Sequence, residues 1–132
     1  MDLTAFMKKY ADEIGGQFTE YDQTQSIVIV PVSGNRYQTV IGNIRKNELY
    51  NRRLISFTSK VSALQTTIDF KMLLEQSAYF NYCRFIIKEN YLQIEATTAL
   101  DTVSESIIKE MVQEVANLGD QFELKLTDSD IH

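Results

Sequence analysis

Carboxylates are plentiful in this chain, but histidine and cysteine, which most often carry acid–base, nucleophilic or metal chemistry, occur once each. The only histidine, His132, is the last residue, whereas a general base or metal ligand must be held rigidly. Ser–His and Cys–His nucleophile pairs are thereby set aside. The single cysteine, Cys83, stands in "YCRFII", where strand alternation sends the neighbouring Arg84 to the opposite face. It reads as a small buried hydrophobe, because a reactive thiolate needs an open, electropositive site. Glu110 and Glu114 share a helical face at i, i+4, the usual spacing of a solvated helix surface. An acid–base dyad there would need a partner segment to set two carboxyl groups apart. Asp128 and Asp130 in "TDSDIH" lack the glycine turn and bidentate glutamate of a cation loop, and "VSGNR" has too few glycines for a phosphate loop. No catalytic residue, metal ligand or cofactor is expected, and the chain is read as a non-enzyme.

The cations offer a different chemistry. "IRKNELYNRRL", residues 44–54, holds Arg45, Lys46, Arg52 and Arg53 against one acid, Glu48. Joined by Tyr37 and Tyr50, these would make a basic aromatic surface for RNA or single-stranded DNA. Yet the net charge is -5, and the segment from Glu95 to Asp130 is rich in acids, which repels a long polyanion. A sheet edge or turn, guarded by its charges against edge-to-edge pairing, is the preferred reading. Nucleic acid is the minor one, and a small-ligand pocket between helix and sheet is a third.

The elements that must position these groups follow from periodicity. A chain of 132 residues that is 44% hydrophobic makes one domain with one core. Leu3, Phe6, Met7, Tyr10 and Ile14 recur at helical spacing, and Gly15-Gly16 stops that helix. "QFTEYD" (17–22) is a first strand. "SIVIVPV" (26–32) is apolar on both faces and reads as a buried strand. "SGN" is a turn, and "RYQTVIGNIR" (36–45) is a further strand in which Gly42 suggests a bulge. In "RLISFTSKVSA", Ile55, Phe57 and Val61 fall on one face, with Ser56, Thr58 and Lys60 on the other. A helix over 67–80 follows, capped by "QTT". "YCRFIIK" and "YLQIEAT" are strands about a Glu89-Asn90 hairpin turn. Thr102-x-x-Glu105 is a capping box for a last helix; that helix either ends at Gly119 or continues through Phe122 and Leu126.

Strands therefore come in consecutive hairpins instead of alternating with helices. The expected fold is a single α+β domain over residues 1–126, with an antiparallel sheet of five to six strands and three helices, followed by a loose polar tail at 127–132. Doubly wound dinucleotide folds are excluded. One cysteine allows no intrachain disulfide, and "MDLTAFMKKYADEIGG" has no apolar run of signal-peptide or membrane-span length, so a cytoplasmic protein without membrane attachment is expected.

This order resembles the fold of type III secretion chaperones and of the YbjN-like sensory-transduction-regulator family. The stretch that carries the resemblance is "FKMLLEQSAYFNYCRFIIKENYLQIEATTALDTVSESIIKEMVQEVANL", with its junction Tyr79-Phe80-Asn81, its turn Glu89-Asn90 and its cap Thr102. The segment around residues 46–61 departs from the pattern by lengthening the first strand block. The resemblance implies a non-enzymatic, chaperone-like or regulatory module that holds a protein partner of unknown identity on its sheet. Ile29, Tyr37, Ile41 and Phe57 are the expected partner surface. It also implies a homodimer. Met72, Tyr79 and Phe80 exceed what one helix stripe can bury, the following strand adds Tyr82, and these four are the expected dimer interface.

Overall fold

The computed structural model describes the backbone of residues 2–131 and the side chains of residues 2–127, so His132 lies outside the described residues. The fold is α+β, with a six-stranded antiparallel sheet and three helices. The chain runs α1 (Leu3–Ile14), β1 (Gln17–Glu20), β2 (Gln25–Val32), β3 (Arg36–Asn47), β4 (Arg52–Ala63), α2 (Phe70–Ser77), β5 (Arg84–Lys88), β6 (Tyr91–Ala99) and α3 (Glu105–Ile131). In the sheet the strands stand in the order β1-β2-β3-β4-β6-β5, leaving β1 and β5 as the edges.

Local chemistry explains most boundaries. Asp2 caps α1 by accepting from the Ala5 N–H at 3.1 Å, and Gly15 closes it in the left-handed conformation, φ 73°. Gly34 and Asn35 supply the positive φ values of the β2–β3 turn, and Glu89 and Asn90 those of the β5–β6 turn. Two expected caps are displaced. α2 begins only at Phe70, because the Asp69 carboxylate takes the Met72 N–H at 3.0 Å while residues 65–68 form a turn. α3 is capped by Ser104, whose Oγ accepts from the Ile107 N–H at 3.2 Å; Thr102 is held in the preceding turn by the Ala99 carbonyl. Gly42 marks no bulge. β3 pairs regularly through it, and the register shift falls in β4 between Lys60 and Ser62.

All three helices cover one face of the sheet. α3 packs on β2, β3, β4 and β6, α1 on β1 and β2, and α2 on β5. The residues beneath them form the core: Val28 and Val30 of β2, Val40 of β3, Ile55 and Phe57 of β4, and Leu92, Ile94 and Ala96 of β6. Met7, Leu73, Ile108, Met111, Val112 and Val115 meet them from the helices.

α3 passes straight through Gly119. A Cβ there would lie 2.8 Å from Ser59 Oγ, 3.0 Å from Ser59 Cβ and 3.1 Å from Gln38 Nε2. The glycine is thus a point of closest approach between helix and sheet and not a stop signal. Around it Gln38 donates to Ser59 Oγ at 2.8 Å, Ser59 donates to the Thr39 carbonyl at 2.8 Å, and Arg36 makes a bidentate pair with the largely buried Asp120 at 3.0 and 2.9 Å.

Candidate protein-interaction surface

Among the described residues, nothing covers the face of the sheet away from the helices. Strand alternation places odd-numbered residues of β2, β3 and β6, and even-numbered residues of β5 and of β4 as far as Lys60, on it. Its β2–β3 half is aliphatic. Ile27 pairs with Ile41, Ile29 with Thr39 and Pro31 with Tyr37. The four aliphatic side chains are half-buried, and Tyr37 is 62% exposed. β2 is accordingly buried on one face only. Its two-sided hydrophobicity, read as that of a fully buried strand, leaves an aliphatic stripe facing solvent.

The other half of this face is a polar hollow of about 410 Å³, reaching from Ile41 across β4 and β6 to the β5–β6 turn. Ser56 and Gln93 form its buried floor, and Ser56 Oγ lies 2.9 Å from Thr97 Oγ1. Arg45, Lys60 and Lys88 line it, as do the carboxylates Glu95 and Glu89. Arg84 donates to Glu95 at 2.6 Å, which takes up that carboxylate. Lys60 sits 5.1 Å from the Tyr91 ring centroid.

Of the four residues expected to bind a partner, Ile29, Tyr37 and Ile41 lie together on this face. Phe57 does not: it pairs with Gly42 on the helix side and is 1% exposed, so it is a core residue. Sequence reasoning missed Ile27, Pro31, Lys60 and Lys88. The signal for the first two was present in the alternation of "SIVIVPV", whose odd positions share a face.

The expected dimer residues divide differently. Met72 and Phe80 pack against the core, Phe80 with its ring centroid 5.4 Å from Phe85 and 6.0 Å from Phe122. The Tyr82 hydroxyl donates to Glu110. Tyr79, at 87% exposure, and Tyr82, at 36%, lie outside the core; the other outward apolar side chains of α2 and β5 are Phe70, Leu74 and Ile87. Eight residues of helix with one buried position, Leu73, explain the shift, since Met72 and Phe80 turn toward the end of α3 instead.

Of the expected sheet edge or turn, the basic stretch is the turn, in a hairpin between two interior strands. Asn47 Oδ1 accepts from the N–H groups of Leu49 and Tyr50, and Asn51 takes a positive φ. Lys46 faces Arg53, and Arg52 faces Asn47. Arg53 is held by Asp101 at 2.5 Å, and that hydrogen bond keeps the Asp101 carboxyl below its ordinary range. Arg45, Lys46 and Arg52 are exposed. Tyr37 stands at the opposite end of β3 from Tyr50, roughly 30 Å away by strand rise, so the four cations and two tyrosines make no common surface.

Glu114 is not the solvated helix residue its spacing suggested. Its carboxylate accepts from the backbone N–H groups of Asn81, Tyr82 and Cys83 at 2.9, 2.7 and 2.9 Å, fastening the α2–β5 junction to α3. Burial alone would raise its pKa, but the three donors together outweigh it and hold the carboxyl below its ordinary value. Burial pushes the Cys83 thiol far above its ordinary range, and Glu114 beside it adds to the shift. Such a thiol is not nucleophilic at neutral pH.

Among the described residues no helix is long and apolar enough to cross a membrane. No protein-family model and no curated protein matches this chain. What fold and surface define is a two-layer α+β sandwich with one bare sheet face.

Proposed function

We propose that this protein is a non-enzymatic, cytoplasmic protein-binding module that holds a segment of a partner protein on its uncovered sheet face, in the chaperone-like or regulatory manner its resemblance to type III secretion chaperones and YbjN-like proteins implies. The observation that carries this reading is the contiguous stripe of Ile27, Ile29, Pro31 and Ile41 on a face that no helix covers. A half-exposed aliphatic stripe across two paired strands is the kind of surface that binding partners bury. The nucleic-acid reading has less support, because the basic hairpin and Tyr37 are far apart. The module works as a homodimer, supported by the exposed Leu74, Tyr79 and Ile87 along α2 and edge strand β5.

A photo-crosslinking side chain placed at Thr39, between the stripe and the hollow, tests the reading. It is expected to trap a discrete partner in cells of the source organism, and Ile29→Lys is expected to abolish the adduct. Adducts that form equally from a probe at Asp12 on α1, or that survive Ile29→Lys, would show that the face is not the binding site.

A further inference from the structure

We propose that the occupant of this face is an acidic amphipathic helix of a partner protein, its apolar side chains on Ile27, Ile29 and Ile41 and its carboxylates in the hollow lined by Arg45, Lys60 and Lys88. The inference rests on the binding reading above and names the chemistry of the partner.

Charge gives the first reason. Arg45, Lys60 and Lys88 converge on one hollow, and among the described residues none of them is in an ion pair. Of the two carboxylates there, Glu95 is already bonded to Arg84, and Glu89 lies in the turn at the rim. The hollow is thus cationic in a chain of net charge -5, and complementary charge selects an acidic ligand. Ile41 belongs to both halves of the face, so one ligand can reach stripe and cations together.

Backbone bonding gives the second reason. β2, β3, β4 and β6 are each paired on both sides. Around Ile27, Ile29 and Ile41 the backbone is paired with a strand on either side, so an extended segment laid across this part of the face would find no partners for its own groups. A helix satisfies its backbone internally and needs only side-chain contacts, as the helices on the opposite face do. Stacking of nucleic-acid bases is disfavoured by the same residues. The stripe is aliphatic except for Tyr37 at its corner, and Lys60 already occupies the Tyr91 ring.

Three labelled probes decide the matter by fluorescence anisotropy and by methyl and amide NMR shifts on the whole protein: an amphipathic Leu/Glu helix of about 18 residues, its Leu/Lys counterpart, and oligo(dT). The Leu/Glu helix is expected to bind, with shifts confined to Ile27, Ile29, Ile41 and the hollow. Arg45→Glu/Lys60→Glu is expected to weaken it at least tenfold, and the Leu/Lys helix to bind at least tenfold more weakly. The NMR map uses the parent protein alone, so it stands even where a variant folds poorly. Equal binding of both helices, with both lost in Ile29→Ser/Ile41→Ser, would overturn the acidic selection and leave the docking face intact. Shifts mapping elsewhere, or no binding of either helix, would overturn the helical occupant; the crosslink from Thr39 separately decides whether the face binds at all. Tighter binding of oligo(dT) at this face would replace the proposal with nucleic acid.

Discussion

Glu114 shows how one side chain can hold a junction that no pattern marks. Three N–H groups of residues 81–83 have no strand or helix to pair with, and the carboxylate on α3 takes all of them. Hydrogen bonds to a charged acceptor are stronger than neutral ones, so Glu114→Ala is expected to lower stability by about 2 kcal/mol at neutral pH, with Glu114→Gln intermediate. The folded pKa lies below the unfolded one, near about 4.3. The contribution is therefore whole above that value and is lost as pH falls through the lower folded value. Urea unfolding of parent and Ala variant should show a gap at neutral pH that narrows in acid; a gap independent of pH would contradict the assignment. Cys83 belongs to the same scale. Its buried, raised thiol should react with a disulfide reagent only on the timescale of unfolding. Prompt labelling of the native protein at mildly alkaline pH would show the site to be open.

At the scale of elements, Gly119 sets how closely α3 lies on β3 and β4. Alanine is the better helix former by about 1 kcal/mol, so propensity alone predicts that Gly119→Ala stabilises. Contact with Ser59 predicts the reverse, because a Cβ at 2.8 Å from Oγ and 3.0 Å from Cβ forces helix and strand apart. The expected net effect is a loss of roughly 1–3 kcal/mol, partly recovered in Gly119→Ala/Ser59→Gly. A raised melting temperature for the single variant would show that the helix shifts freely. The β3–β4 hairpin is the opposite case. Its cations are exposed, and the Arg53–Asp101 pair is solvated on both sides, so replacing Arg45, Lys46, Arg52 and Arg53 by Ser should leave the melting temperature nearly unchanged. A drop of many degrees would mean that the hairpin is more than a solvated turn.

At the scale of the whole molecule, three helices on one side of a six-stranded sheet leave two kinds of unfinished surface. One is the bare face. The other is the edge made by β5 with the outer side of α2, where Leu74 is 67%, Tyr79 87% and Ile87 57% exposed. A second copy would cover this edge isologously, the commonest closed arrangement. Sedimentation equilibrium should give a dimer mass for the parent and a monomer for Leu74→Ser/Ile87→Ser. A parent that stays monomeric at high micromolar concentration would remove the dimer. It would leave the bare face untouched, since the two surfaces lie on different sides of the sheet.

Periodicity alone determined much of this protein. The spacing of Leu3, Phe6, Met7 and Tyr10, and the alternation of Ile55, Phe57 and Val61 against Ser56, Thr58 and Lys60, are local properties of helix and strand geometry. They determined the element order, the hairpins and the α+β class. They could not say which face is which. Phe57 and Ile41 look alike as strand hydrophobes, yet one lies beneath α3 and the other faces solvent, because burial depends on where distant helices pack. Caps went the same way: Thr102 and Ser104 are both able to cap a helix, and the turn after β6 decided between them. Gly119 carries a helix-stop signal that only the approach of Ser59, 60 residues earlier in the chain, turns into a packing requirement. Lys60 and Lys88 meet Arg45 around one hollow because β4 lies between β3 and β6. Pairing order and helix placement are long-range choices, and these made a binding face out of residues that the chain keeps far apart.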